Sequence, residues 1–285
     1  MTEIAGALVS TQWLADHLEA PDVRVVDATY FLPMEKRDAR AEYLKQHIPG
    51  AVFFDIDEIA DSSSALPHML PAPEKFSSKV RKLGLGDGTR IVVYDARGVF
   101  SAPRVWWTFR AFGHQDVAVL DGGLPKWLAE GRPVAEGPVS KGERHFTARF
   151  NSFLVRDAGQ VEGNIRAKRE QVLDARAKGR FEGAEPELWP GRRAGHIPGS
   201  RNLPFGELFA KDGTLLPAPA LRQKFQAAGI DLRKPVVTSC GSGITAAILS
   251  LGLHVAGAKD VALYDGSWAE WGLPGERPVE TGPAT

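Results

Sequence analysis

The chain has 285 residues, 43% of them hydrophobic and 25% charged, with 35 basic and 35 acidic side chains. That length and balance describe one large or two ordinary globular domains with a real core, and a net charge of zero exerts no pull toward nucleic acid or an anionic membrane. No apolar run of 18 residues occurs, so no membrane span is expected, and a lone cysteine, Cys240, excludes an internal disulfide and every zinc site built on several cysteines.

Taken from the start, "MTEIAGALVS" carries Glu3 and lacks a basic region, so it does not read as a signal peptide; a cytoplasmic location is expected. "VRVVDA" from Val23 reads as a strand, "EYLKQH" from Glu42 as a short helix and "RIVVYDA" from Arg90 as a strand. "PRVWWTFRAFG" from Pro103 reads as a helix ended by Gly113, and "DVAVLDG" from Asp116 as a strand. Residues 137–154, rich in Gly, Ser, Pro and charge, read as a linker over the surface.

Beyond the linker the signposts recur. "VVDA" at Val25 returns as "VLDA" at Val172, "HIPGA" at His47 as "HIPGS" at His196, and "DVAVLDGGLPKW" at Asp116 as "DVALYDGSWAEW" at Asp260. Both halves then close on Arg-Pro-Val, at Arg132 and Arg277. Ordered matches about 147 positions apart mark a duplicated domain rather than a solenoid unit. The expected boundaries are residues 1–136 for the first copy and 155–285 for the second. Continuous apolar strands alternating with helices predict an α/β fold, each domain a mostly parallel sheet with helices on both faces.

The second copy holds the cysteine. "PVVTS" from Pro235 reads as a buried strand and "ITAAILSLGLHVAG" from Ile244 as a helix ended by Gly257, so Cys240 falls in the turn between them. Gly241 and Gly243 there admit backbone angles that other residues resist, and their amides, with those of the helix start, form an anion cradle that favours a thiolate. A buried structural cysteine is the plainer alternative. Position argues against it, because ligands of open α/β sheets bind at the carboxyl ends of strands. The first copy has Asp95-Ala96 at the matching place and is expected to be non-catalytic. A cysteine phosphatase would need an arginine six positions after the cysteine, where Ala246 stands. A scaffold or redox sensor is a third reading, opposed by the intact thiol cradle.

With "HIPG" in both halves, "APRVWW" in the first, and "CGSGIT" and "YDGSWAEW" in the second, nearly the whole chain resembles the two-domain sulfurtransferases, rhodanese and 3-mercaptopyruvate sulfurtransferase. The resemblance implies two tandem rhodanese-like domains and a persulfide carried on Cys240, with no metal and no organic cofactor. The loop Cys240-Gly241-Ser242-Gly243-Ile244-Thr245 is similar to the branch that prefers 3-mercaptopyruvate; members preferring thiosulfate carry basic residues after the cysteine, and thiosulfate remains the alternative donor. A small dianion gains from a cation beside the sulfur, whereas an α-keto thiol needs a donor on its carbonyl and a cation for its carboxylate.

Carried over residue by residue, the resemblance gives Asp57 the task of orienting His68, and His68 a proton relay with Ser242. It makes Arg180 a clamp on the substrate carboxylate, and places Gly241, Gly243, Ile244 and Thr245 around the substrate. The family's second clamp arginine is replaced by Trp189, leaving Arg192 and Arg193 as candidates to supply it from a shifted loop. The implied partners are a small sulfur donor and a thiol acceptor, such as a reduced thioredoxin-like protein or a small thiol.

Overall fold

The computed structural model describes residues 6–284, and the expectation drawn from Glu3 lies outside them. The chain forms two units. Among the described residues, the first holds 6–62, 70–151 and 210–215, and the second 63–69, 152–209 and 216–284.

In the first unit the elements run β1 (Leu8–Val9), α1 (Thr11–His17), β2 (Val23–Asp27), α2 (Ala39–Lys45), β3 (Val52–Phe53), α3 (Ile56–Ile59), α4 (Pro73–Lys82), β4 (Arg90–Tyr94), α5 (Ala102–Ala111), β5 (Val117–Leu120) and α6 (Gly123–Ala129). The strands form one sheet in the order β1-β5-β4-β2-β3, and every pairing is parallel. All five residues of β4 are buried, as a central strand in a doubly covered sheet requires. One face packs Val25, Val92, Leu120 and Trp127; the other packs Phe54, Phe76 and Phe109, with ring centroids 5.3–6.5 Å apart.

The second unit repeats the plan with β6 (Val155–Arg156), α7 (Ala158–Ala167), β7 (Gln171–Asp174), α8 (Lys178–Glu182), β8 (Arg201–Asn202), α9 (Ala218–Ala227), β9 (Val236–Ser239), α10 (Ala246–Ala256), β10 (Val261–Tyr264) and α11 (Ser267–Trp271). Its sheet, also parallel, runs β6-β10-β9-β7-β8. The repeated motifs do the same structural work twice. His47 and His196 are buried, and their amides bridge to Ala135 and Glu280. The indoles of Trp127 and Trp271 donate to the carbonyls of Pro133 and Pro278, so the Arg-Pro-Val endings are tied down in the same way.

One expectation needs correction. Helix α10 starts at Ala246 rather than Ile244, because the glycine turn runs on through Thr245, its N-cap. Asp57 lies in the first turn of α3, behind the N-cap Asp55. Residues 137–151 are held against the first unit. His145 O accepts from Asp87 N–H, Arg149 N–H donates to Phe112 O, and Phe146 is buried against Phe76 and Phe109. Among the described residues no helix is long and apolar enough to cross a membrane.

Candidate active site

The sulfur of Cys240 follows the last residue of β9, a strand buried along its whole length, and the residue is 1% exposed. Its Sγ accepts the Gly243 N–H at 3.1 Å. Gly243 reaches that position with φ of 82°, a left-handed angle that favours glycine, whereas Gly241 has no such angle. The turn thus depends on the second glycine alone. The N–H groups of Gly241, Ser242, Ile244 and Thr245 have no acceptor among the described residues. Several unpaired donors therefore belong to the loop that carries the thiol, beside the start of a helix, an arrangement that favours a negative charge.

The first unit contains the same loop with an anion built in. Strand register places Asp27 opposite Tyr94 and Asp174 opposite Ser239, so Asp95 is the counterpart of Cys240. The Asp95 carboxylate accepts from the amides of Arg97, Phe100, Ser101 and Ala102 at 2.7–2.9 Å. Burial pushes this carboxyl upward, and the four amides oppose that push. The loop's amides are turned inward in this fold, and where the first unit fills them with its own carboxylate, the second offers a sulfur.

The backbone of Cys240 is held from α11. Its N–H donates to the Ser267 hydroxyl at 3.2 Å, and its carbonyl accepts from Trp268 N–H at 2.9 Å. Ser267 in turn donates to Tyr264 O. Ser267 has φ of 47°, uncommon for a residue with a Cβ.

His68 belongs to the same unit as the cysteine although it lies in the first half of the sequence. It is buried, also with a left-handed φ of 60°, and its Nδ1 lies 3.3 Å from the Ser242 carbonyl. A carbonyl only accepts, so a hydrogen bond there makes Nδ1 the donor. The recorded contact is with the main chain of Ser242, not the hydroxyl expected as the relay. Trp189 stands edge-on to His68, ring centroids 6.0 Å apart, and its indole nitrogen is 3.6 Å from where a Cβ on Gly241 would sit. The position expected to carry a clamp arginine thus supplies an aromatic wall.

The sequence reading missed a charged cluster behind the loop. Arg176 is 1% exposed and forks onto Asp174, with bonds of 2.7–3.1 Å; it also bonds Glu187 at 2.5 Å and the Gly195 carbonyl at 2.9 Å. Its guanidinium carbon lies 4.3 Å from the centroid of the Trp268 ring. Burial works against the Arg176 cation, but the two carboxylates outweigh it and hold the group above its usual range. Burial likewise raises Glu187, against the pull of Arg176 and Arg180. The available signal was the repeat itself, since Arg176 stands where the first copy has Thr29, and Trp268 where it has Leu124.

Neither substitute clamp is available. Arg192 donates to the carbonyls of Ala269 and Pro190, and Arg193 to those of Trp271, Gly275 and Arg277. Both bind main chain because their loop closes against α11. The side chain of Arg180, half-buried on α8, makes no hydrogen bond or ion pair among the described residues and acts electrostatically on Glu187. The structure therefore brings together Cys240, Gly241, Ser242, Gly243, Ile244, Thr245 and His68, with Arg180 in the same unit and Asp57 in the other. Among the described residues no group of three or more His, Cys, Asp or Glu is placed to hold a metal ion.

The Rhodanese-like domain model matches the chain twice, over residues 10–130 and 157–273. The human 3-mercaptopyruvate sulfurtransferase is 44% identical over 94% of this chain and 93% of its own length. The bovine thiosulfate sulfurtransferase is 45% identical over 93% of this chain and 91% of its own length. Among solved structures, SseA from Escherichia coli, described as a 3-mercaptopyruvate sulfotransferase with the rhodanese fold, superposes with a TM-score of 0.85 at 40% identity, covering 93% of this chain and all of that one. With two matched copies, two parallel sheets and relatives above 40% identity along most of the chain, this protein belongs to the rhodanese-like domain family.

Proposed function

We propose that this protein is a 3-mercaptopyruvate sulfurtransferase working through a persulfide on Cys240. The observation that carries the proposal is the thiol at the carboxyl end of β9, its sulfur bonded to the Gly243 amide in a loop of otherwise unpaired N–H groups. In the first half-reaction the Cys240 thiolate attacks the donor sulfur. The S–S bond forms, the C–S bond breaks, and its electron pair leaves as the enolate of pyruvate. A proton delivered to the methylene carbon completes pyruvate, a task for His68 acting as general acid. Charge growing on the former carbonyl oxygen is met by Ser242, and the carboxylate is met by Arg180. In the second half-reaction an acceptor thiolate, from a small thiol or a reduced thioredoxin-like protein, or a cyanide ion, takes the terminal sulfur and restores the Cys240 thiolate. A cytoplasmic setting suits such acceptors.

The alternative donor is thiosulfate, the substrate named for the bovine relative. Overall identity does not separate the two donors, since relatives of both names lie at 44–45%. The loop favours the keto acid: the three residues after Cys240 are Gly, Ser and Gly, with no cation for a small dianion.

The test is intact mass. Incubation with 3-mercaptopyruvate should add one sulfur atom and release pyruvate, and cyanide should remove the sulfur. Cys240→Ser should do neither while staying folded. Pyruvate release by the serine variant refutes the assignment, and thiosulfate turning over faster than 3-mercaptopyruvate selects the alternative donor.

A further inference from the structure

The first unit has a cavity of about 210 Å³ at the carboxyl ends of β2 and β4, with Asp27, Thr29, Ala96 and Leu124 in its wall. Strand register and the repeat give each a counterpart in the second unit: Asp174, Arg176, Gly241 and Trp268. There the corresponding space is filled. The Arg176 guanidinium sits on the Asp174 carboxylate, against the Trp268 ring, with Gly195 O as a further acceptor. In the first unit threonine replaces the arginine and leucine replaces the tryptophan. The carboxylate has stayed while its cation and the ring beneath that cation have gone. Gln46, the counterpart of Gly195, lines the same cavity.

Asp27 is 1% exposed, and among the described residues its side-chain hydrogen bonds come from neutral groups: the Thr29 amide at 2.9 Å, the Thr29 side chain and the Tyr94 hydroxyl. We propose that this cavity binds a small planar cation of the guanidinium or amidinium class, seated on Asp27 and Gln46 as Arg176 is seated on Asp174 and Gly195. The surrounding charges fit a cation at depth. Asp95, next to Ala96, adds a second buried carboxyl, Tyr94 and Tyr43 are neutral, and Glu42 is paired with Arg37. Lys45, also in the wall, is exposed, so water screens its charge. A flat cation presenting several N–H groups matches a carboxylate fork, which a spherical ammonium does not.

The experiment is a titration of the whole protein with methylguanidinium chloride at constant ionic strength, followed by amide NMR shifts, with methylammonium as the comparison. Wild-type protein at pH 7.5 should show saturable shifts centred on Thr29, Gln46 and Ala96, and a several-fold weaker response to methylammonium. Asp27→Asn should weaken binding about tenfold or more, the loss expected when a charge-assisted pair is removed. Burial raises the Asp27 carboxyl to about 6, so binding should be full above that pH and fade as pH falls through it. The double variant T29R/L124W, which restores the second unit's arrangement, should abolish binding. Absence of saturable shifts in the wild type, unchanged affinity in Asp27→Asn, or equal affinity for methylammonium each overturns the proposal.

Discussion

Ser267 offers a test in which stability and activity should separate. It stands where the first copy has Gly123, and both have left-handed backbones, φ of 47° and 54°. At Gly123 a Cβ would lie 2.1 Å from Gly98 O, so no side chain fits. At Ser267 a side chain does fit, and its hydroxyl holds the Cys240 N–H. A left-handed angle costs a residue with a Cβ about 1–2 kcal/mol. Ser267→Ala keeps that strain and leaves a buried donor unsatisfied, a loss of about 1–3 kcal/mol. Ser267→Gly suffers the same loss but recovers the strain, less the roughly 0.5–1 kcal/mol by which glycine loosens the unfolded chain. The glycine variant should therefore be more stable than the alanine variant by about 0.5–1 kcal/mol. Both lose the anchor of the nucleophile, so their turnover should fall together. Hydrogen exchange of residues 260–271 reads the local stability, and sulfur transfer reads the site. An alanine variant as stable as the glycine variant, or wild-type turnover in both, refutes the reasoning.

Ser242→Ala should slow turnover of 3-mercaptopyruvate by about 10²–10³ and that of thiosulfate less, because only the former has a carbonyl to polarise; equal losses in steady-state assays would assign Ser242 to loop shape. Arg180→Ala should cost about 1.5–3 kcal/mol in kcat/KM for a donor with a carboxylate and little for a donor without one. Since Arg192 and Arg193 are occupied by carbonyls, neither should compensate. Arg176→Met should destabilise the second unit by about 3–5 kcal/mol, leaving Asp174 and Glu187 buried without their cation; urea unfolding measures it, and a loss under 1 kcal/mol would show that the cluster relaxes or takes up protons.

The architecture was readable where the pattern is long. β4 and β9 are buried along their whole length and carry the apolar stretches Ile91–Val93 and Val236–Val237, α10 is buried on most sides and ends at Gly257 with φ of 96°, and the repeats align the two halves. The edge strands β1, β3, β6 and β8 are two residues each, too short to show any period, and were not visible. The site was readable at its turn, because a cysteine followed by Gly-x-Gly carries local backbone information. Arg176 was not, because its value comes from partners at Glu187 and Gly195 that only the fold assembles. Nor were the left-handed angles of His68 and Ser267, since neither residue type announces one. The resemblance supplied His68 and Arg180, which periodicity alone would have left among ordinary polar residues.

Residues 63–69 pack in the second unit and residues 210–215 in the first. The chain was written twice, but its working parts are not inherited as two paragraphs. An exchange of second halves between relatives would transmit Cys240 and its loop while leaving behind the histidine that touches Ser242. Such a hybrid would carry a nucleophile tuned by one ancestor and an imidazole tuned by another. The midpoint, the obvious seam of a duplication, is thus a poor place to cut this chain.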